Sequence, residues 1–208
     1  RYFDRFRSRV IFPICDPRGR PIAFGGRVFG LEAQNPEAVK YINSPETPIY
    51  KKGRNLYAFH LARDEIREKR QAILLEGYMD VVALHRHGFQ NAVASLGTAL
   101  TPEQAKLLKR VCDEAVFLYD DDEAGQKAML RGVEILLEQE LSVKCVGLAP
   151  GEDPDSYLRD HGRAAFEERL TEARPFFDYF LHRLRGQVDF STVAGKTEAA
   201  DRLGPLIR

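Results

Sequence analysis

Acidic residues recur in this chain at places where chemistry, rather than solubility, would put them. Glu76 and Asp80 lie four residues apart, positions 120–123 read DDDE, and positions 151–155 read GEDPD. Carboxylates this close repel one another and lose hydration when partly buried, so each cluster costs stability unless something cationic offsets it. One plain account is helix capping, since acids in a first turn face the positive end of the helix dipole. The other is a divalent cation. Clustered carboxylate oxygens suit Mg²⁺ or Mn²⁺ rather than zinc or copper, and magnesium binds through a few carboxylates plus substrate phosphates. That chemistry is phosphoryl transfer. In an extended segment residues i and i+2 share a face, so Asp120 and Asp122 can serve one ion while Asp121 points elsewhere. The same spacing pairs Asp153 with Asp155 across Pro154. Any one of these motifs alone is an ordinary chance occurrence.

The elements that must position these acids can be read from periodicity. From Gln71 onward, short apolar runs (AILLEG, NAVASLGT, AVFLYD, SVKCVGLA) alternate with amphipathic stretches (YMDVVALHRHG, TPEQAKLLKRVC, EAGQKAMLRGVEILLEQE, SYLRDHG). This alternation predicts βαβ units and a parallel sheet. Glu76 closes the first strand, Asp120 the third, and Glu152, Asp153 and Asp155 follow the fourth. Loops at the carboxyl ends of parallel strands gather on one edge, so all three clusters should converge there. Capping alone does not predict that. Met79, Val82 and Ala83 are expected to be core, and Leu56, Phe59, His60 and Arg63 to share one helix face. His85 and His87 are expected to cap the helix they end. The SLGT turn at 95–98 is either a triphosphate contact through backbone amides or simply a turn.

Upstream, RVIFPIC and PIAFGGRVFG flank DPRG and predict a hairpin, followed by an extended loop over 34–55. Net charge is zero overall, but residues 1–56 carry 11 Lys and Arg against 5 Asp and Glu, while the remainder carries 20 against 26. A basic front half predicts a polyanion partner. Arg5, Arg7 and Arg9 alternate and are expected on one extended face, with Arg18, Arg20 and Arg27 nearby, as a phosphate-tracking groove. Tyr2, Phe3 and Phe6 could stack bases, though packing is the plainer role. GGR at 25–27 marks either a close approach to nucleic acid or a bulge. Cys15, Cys112 and Cys145 form no CxxC pair and fit reduced, packed thiols. No run is long and apolar enough for a membrane span. From Arg163 the tail is helical and apolar enough for a small bundle.

The strings LLEGYMDVVALHRHGFQNAVASLGTALT, LYDDDEAGQKA and GEDPDSYL resemble the Toprim core of bacterial replicative primases of the DnaG type. YFDRFRSRVIFPICDPRGRPIAFGGRVFG and KYINSPETPIYKKGRNLY resemble the basic subdomain that precedes it, so the likeness runs from about Tyr2 to about Leu170. Toprim alone would also admit topoisomerases, a nuclease group and recombination mediators; NSPET…KKGRNLY and EGYMD select primase.

The resemblance implies a mixed α/β fold in three parts: a basic strand-rich subdomain (1–70), a Toprim parallel-sheet core (71–170) and a small helical subdomain (171–208). It implies that Glu76 is an acid/base or metal-positioning group, that Asp120 and Asp122 are metal ligands, and that Asp80, Asp153 and Asp155 complete the metal site. Arg7, Arg9, Arg27, Lys40, Asn43 and Lys52 are then expected to bind template and nucleotide. The family usually has glycine where this chain has Asp121. The implied activity is RNA primer synthesis on single-stranded DNA in a bacterial cytoplasm, with two or more Mg²⁺ or Mn²⁺ ions, no organic cofactor and no zinc in this stretch. NTPs and the RNA primer are the expected ligands and a monomer the expected state. Replicative helicase and single-strand-binding protein are expected to dock through flanking domains beyond this chain.

Overall fold

A computed structural model of the chain describes residues 3–97, 99–118, 123–148 and 151–204, with 123–128 described by backbone alone. The front section is a three-stranded antiparallel sheet ordered β1-β2-β3, formed by β1 (Arg9–Cys15), β2 (Pro21–Val28) and β3 (Tyr41–Asn43). The predicted hairpin is present. Asp16 Oδ1 accepts from the backbone N–H groups of Arg18 and Arg20 at 2.9 and 3.0 Å, and Gly19 takes the left-handed φ of 82° that closes the turn. The stretch expected as loop contains β3, which three residues of weak pattern did not announce.

The expected parallel sheet follows, ordered β5-β4-β6-β7-β8. Its strands are β4 (Gln71–Leu75), β5 (Ala92–Ala94), β6 (Glu114–Leu118), β7 (Ser142–Val146) and a two-residue antiparallel edge, β8 (Arg174–Pro175). Alternation along the strands builds two cores. Ala72, Leu74, Ala115, Phe117, Val143 and Cys145 face one side, and Ile73, Leu75, Val116, Leu118 and Val146 the other. The first side is covered by α1 (Phe59–Lys69), α3 (Pro102–Lys109), α4 (Glu123–Glu138) and α6 (Phe176–Gln187). The second is covered by α2 (Tyr78–Arg86) and α5 (Pro154–Thr171), the latter broken at Gly162, whose φ of 80° and ψ of 177° leave the helix. The last helix, α7 (Val193–Leu203), packs Ala199 on Leu184 and Val188 at the end of α6. The tail is therefore no free-standing bundle, since Phe176 of α6 is buried in the main core.

Two helix faces are shifted from expectation. In α2 the buried positions are Tyr78, Val81, Ala83 and Leu84, while Met79 and Val82 are half-buried. In α1 they are Phe59, Ala62 and Ile66. The shift in α2 arises because Tyr78 faces the front sheet. Its ring lies 4.7 Å from that of Tyr57 and 5.7 Å from that of Phe12, centroid to centroid, over a cluster containing Ile14, Tyr50 and Leu96. Burial pushes the Tyr50 hydroxyl up to about 12. A methyl on Gly25 would lie 2.7 Å from Tyr78 Cε2, and one on Gly26 2.7 Å from Phe6 Cδ1. The GG pair thus admits two aromatic rings, a role that neither the nucleic-acid nor the bulge reading of GGR named.

Candidate catalytic cleft

The carboxyl ends of β4, β6 and β7 lie on the edge that faces the front sheet. Glu76 directly follows β4 and is exposed; Asp80 sits in the first turn of α2, and its Oδ2 folds back to within 2.6 Å of where a methyl on Gly77 would be. Asp153 follows β7 as the N-cap of α5. Its Oδ1 accepts from Ser156 N at 2.7 Å, and Ser156 Oγ accepts from Asp153 N at 3.0 Å, a reciprocal capping box. Pro154 therefore opens a helix. The extended-segment pairing of Asp153 with Asp155 does not hold, because Asp155 belongs to the first turn. The backbone bond from Ser156 holds the Asp153 carboxyl below the ordinary aspartate range, with Arg159 and Lys40 contributing. Asp120, Asp121 and Asp122 lie outside the described residues, as does Thr98 of the SLGT turn. The segment 119–122 joins the carboxyl end of β6 to α4.

Across from these acids stands the edge of the front sheet. Arg27 and Tyr41 are directly opposed on β2 and β3, with the Arg27 guanidinium 5.9 Å from the Tyr41 ring centroid. Burial pushes the Tyr41 hydroxyl up, and Asp80 and Asp153 add to the push while Arg27 opposes it. Tyr41 thus senses a cation from its own sheet and carboxylates from two strand ends of the other. Lys40 acts on Asp153 in the same way. Arg27 Nε is buried with no hydrogen-bond partner among the described residues. A cleft of about 360 Å³ beside Arg27 and Lys40 is also lined by Asn35 and Phe29. Tyr41 was missed from the sequence, where a lone tyrosine in KYIN carries no signal.

The other expected nucleic-acid contacts divide between surface and scaffold. Arg7 is exposed, but residues 5–8 are bends and turns, and Ser8 has a φ of 51°, so Arg5, Arg7 and Arg9 do not share a strand face. Arg9 begins β1 and spends its guanidinium on backbone carbonyls, donating to Val39 at 2.8 Å and Gly26 at 3.2 Å. Asn43 is a clip: it donates to the Leu96 carbonyl at 3.1 Å and accepts from the Tyr78 hydroxyl. Lys52 is seated by its backbone, its N–H donating to Glu46 Oε1 at 3.0 Å and its carbonyl accepting from Gln104 Nε2 at 3.2 Å. Gln104, fully buried at the start of α3, also donates to Asn55 O at 2.7 Å and closes a capping box with Thr101. His87 bonds Ala83 O at 2.9 Å in the last turn of α2, as a cap should; His85 instead reaches Ala92 O at 2.9 Å, tying α2 to β5.

Oxygen donors from Glu76, Asp80, Asp153 and Asp155, disposed around strand ends, have the chemistry a hard divalent cation requires. Among the described residues no three His, Cys, Asp or Glu side chains come close enough to hold one. All three cysteines are free thiols, and burial raises Cys112 to about 11 and Cys145 to about 12. No helix among the described residues is long and apolar enough to cross a membrane.

Three family models match the chain: "DNA primase catalytic core, N-terminal domain" over residues 1–63, "Toprim-like" over 73–158, and "DnaB-helicase binding domain of primase" over 177–208. The last places a helicase-binding likeness inside the chain, where the sequence reading expected it only in flanking domains. A DNA primase of Pasteurella multocida is 46% identical over 99% of this chain and 35% of its own length. A DNA primase domain from Pseudomonas aeruginosa, known as a crystal structure, superposes with a TM-score of 0.85 at 45% identity, over 98% of this chain and 63% of that one. A DnaG primase catalytic domain bound to single-stranded DNA gives a TM-score of 0.83 at 43% identity, over 98% of this chain and 65% of that one. The chain spans about a third of the length of the curated relatives it matches.

Proposed function

The chain belongs to the DnaG-type family of bacterial DNA primases, and from that premise we propose that it is a primer-synthesising core, a DNA-directed RNA polymerase that copies single-stranded DNA into short RNA. One observation carries the reading most directly: Asp80 and Asp153 of the acidic edge act electrostatically on Tyr41 of the front sheet, and Lys40 acts on Asp153, so cations of one section face carboxylates of the other. A polyanion gripped by the front sheet would lie against the acids. Glu76, Asp80, Asp120, Asp122, Asp153 and Asp155 would hold Mg²⁺ or Mn²⁺. When bound, such ions lower the pKa of a primer 3′-hydroxyl and offset the charge of nucleotide phosphates. The chain's own groups do the rest. Arg27, whose Nε is buried without a hydrogen-bond partner among the described residues, and Lys40 orient phosphates; Glu76 sits at the strand end from which it can accept the hydroxyl proton. Arg7 and Lys52 extend the cationic surface along residues 1–70, leaving 71–170 as the catalytic core.

The helicase contact is assigned to residues 177–208, following the family model that matches there. The experiment is incorporation of labelled NTPs on single-stranded template with Mn²⁺. Asp120→Ala and Asp122→Ala should each abolish incorporation, and Asp121→Gly should keep it. Activity surviving either alanine, or lost in Asp121→Gly alone, would displace the assigned ligand pair.

A further inference from the structure

Phe29 follows β2 with its side chain in solvent. Its backbone is still extended, with φ −140° and ψ 157°, and its N–H donates to Ser8 O at 2.9 Å, so the pairing of β1 with β2 runs one residue past the strand. Side chains two apart in an extended segment share a face, which sets Phe29 beside Arg27, on the face where Arg27 meets Tyr41. Val28 between them points the other way and is buried. Phe29 is 66% exposed, and Leu31 and Val39 of the loop it opens are 85% and 60% exposed. One exposed apolar side chain is ordinary, but three on one short loop call for an account. The loop is not loose. Val28 N donates to Lys40 O at 3.0 Å, Ala38 N to Asn35 O at 3.1 Å and the Arg9 guanidinium to Val39 O at 2.8 Å. A fixed backbone thus carries an aromatic ring beside two cations, Arg27 and Lys40, which line the same open cleft. Arg27 is steadied by the ring and hydroxyl of Tyr41, contacts that hold its guanidinium without neutralising it. Glu32 and Glu37 belong to the loop, but among the described residues that line the cleft neither appears.

We propose that Phe29 is a stacking platform for a base of the single-stranded DNA template, with the neighbouring phosphates on Arg27 and Lys40. The proposal rests on the primase reading above and adds to it a contact with the bases. Aromatic rings beside a cationic groove bind single strands in this way without reading sequence, since every base has a π face. An open cleft suits a strand that passes through it, whereas a free nucleotide is held by enclosing walls. Phe6, weighed for stacking on sequence grounds, is instead turned onto Gly26 and the Phe24 ring. Fluorescence anisotropy with the 208-residue chain, in Mg²⁺ and without NTPs, compares oligo-dT with an abasic strand of the same length. Phe29→Ala should weaken oligo-dT binding about fivefold or more, leave the abasic strand unmoved and leave the salt dependence as it was. Phe29→Trp should keep the affinity for oligo-dT. Lys40→Gln should weaken both strands alike and flatten the salt dependence. The Phe29 ring is mostly in solvent, so its removal leaves the fold intact. Unchanged oligo-dT binding in Phe29→Ala, or equal losses on the two strands, overturns the proposal and leaves the primase reading standing. An unaltered chain that binds no oligo-dT overturns both.

Discussion

Asp153 carries two duties that one substitution cannot separate and two can. As the N-cap of α5 it accepts from Ser156 N, and as a carboxylate beside Tyr41 and Lys40 it belongs to the acidic edge. Asparagine caps about as well as aspartate, whereas alanine costs about 0.5–2 kcal/mol. Asp153→Asn should therefore leave the unfolding midpoint nearly unchanged, and Asp153→Ala should lower it. Primer synthesis should fall at least tenfold in both; full activity in Asp153→Asn would reduce the residue to a cap. Because the folded state holds this carboxyl below its ordinary value of about 3.9, the charged cap persists above that pH. Its contribution to stability disappears only as pH falls through the lowered folded value. The places of Glu76, Asp80 and Asp153 were legible in the sequence because the apolar runs before them end where β4 and β7 end. Tyr41 and Tyr78 were not, since an aromatic residue in a strand or at a helix start reads as packing until its neighbours from another subdomain are in place.

At the scale of elements, the α/β alternation was legible because period-2 burial on both faces leaves short, wholly apolar runs such as AILL and AVFL. The strands β3 and β8 were not, being three and two residues long and held by pairing with neighbours distant in sequence. The α2 face slipped because Tyr78 looks outward from the sheet core to the front section. What seats that section against α3 is Gln104, whose side chain joins the Lys52 and Asn55 carbonyls to the Thr101 capping box. Gln104→Ala takes the donor from the Asn55 carbonyl and leaves the Lys52 carbonyl with the Asn55 N–H alone. Chemical denaturation should show a loss of about 1–3 kcal/mol, and amide exchange over residues 51–55 should quicken. Unchanged exchange there would mean that the clamp lies elsewhere.

The proposed activity requires the basic and acidic halves to keep one spacing, and one contact that sets it is the ring of Tyr78 lying against Gly25 with its hydroxyl on Asn43. Gly25→Val places side-chain carbons where the ring now sits. It should cost about 1–3 kcal/mol and weaken primer synthesis more than it weakens binding of single-stranded DNA, because the basic face survives while its register on the acids is lost. Equal losses of both would contradict a positional role. Template binding should also fall steeply with salt, log K declining by about 0.7 per phosphate contact for each tenfold rise in salt. The most direct test of the whole reading is to supply the 208-residue chain with single-stranded DNA of defined sequence, the four NTPs and Mn²⁺, and to sequence whatever polymer appears. The account predicts short RNA complementary to the template. Cleaved template without RNA, or bound template without any product, would contradict it.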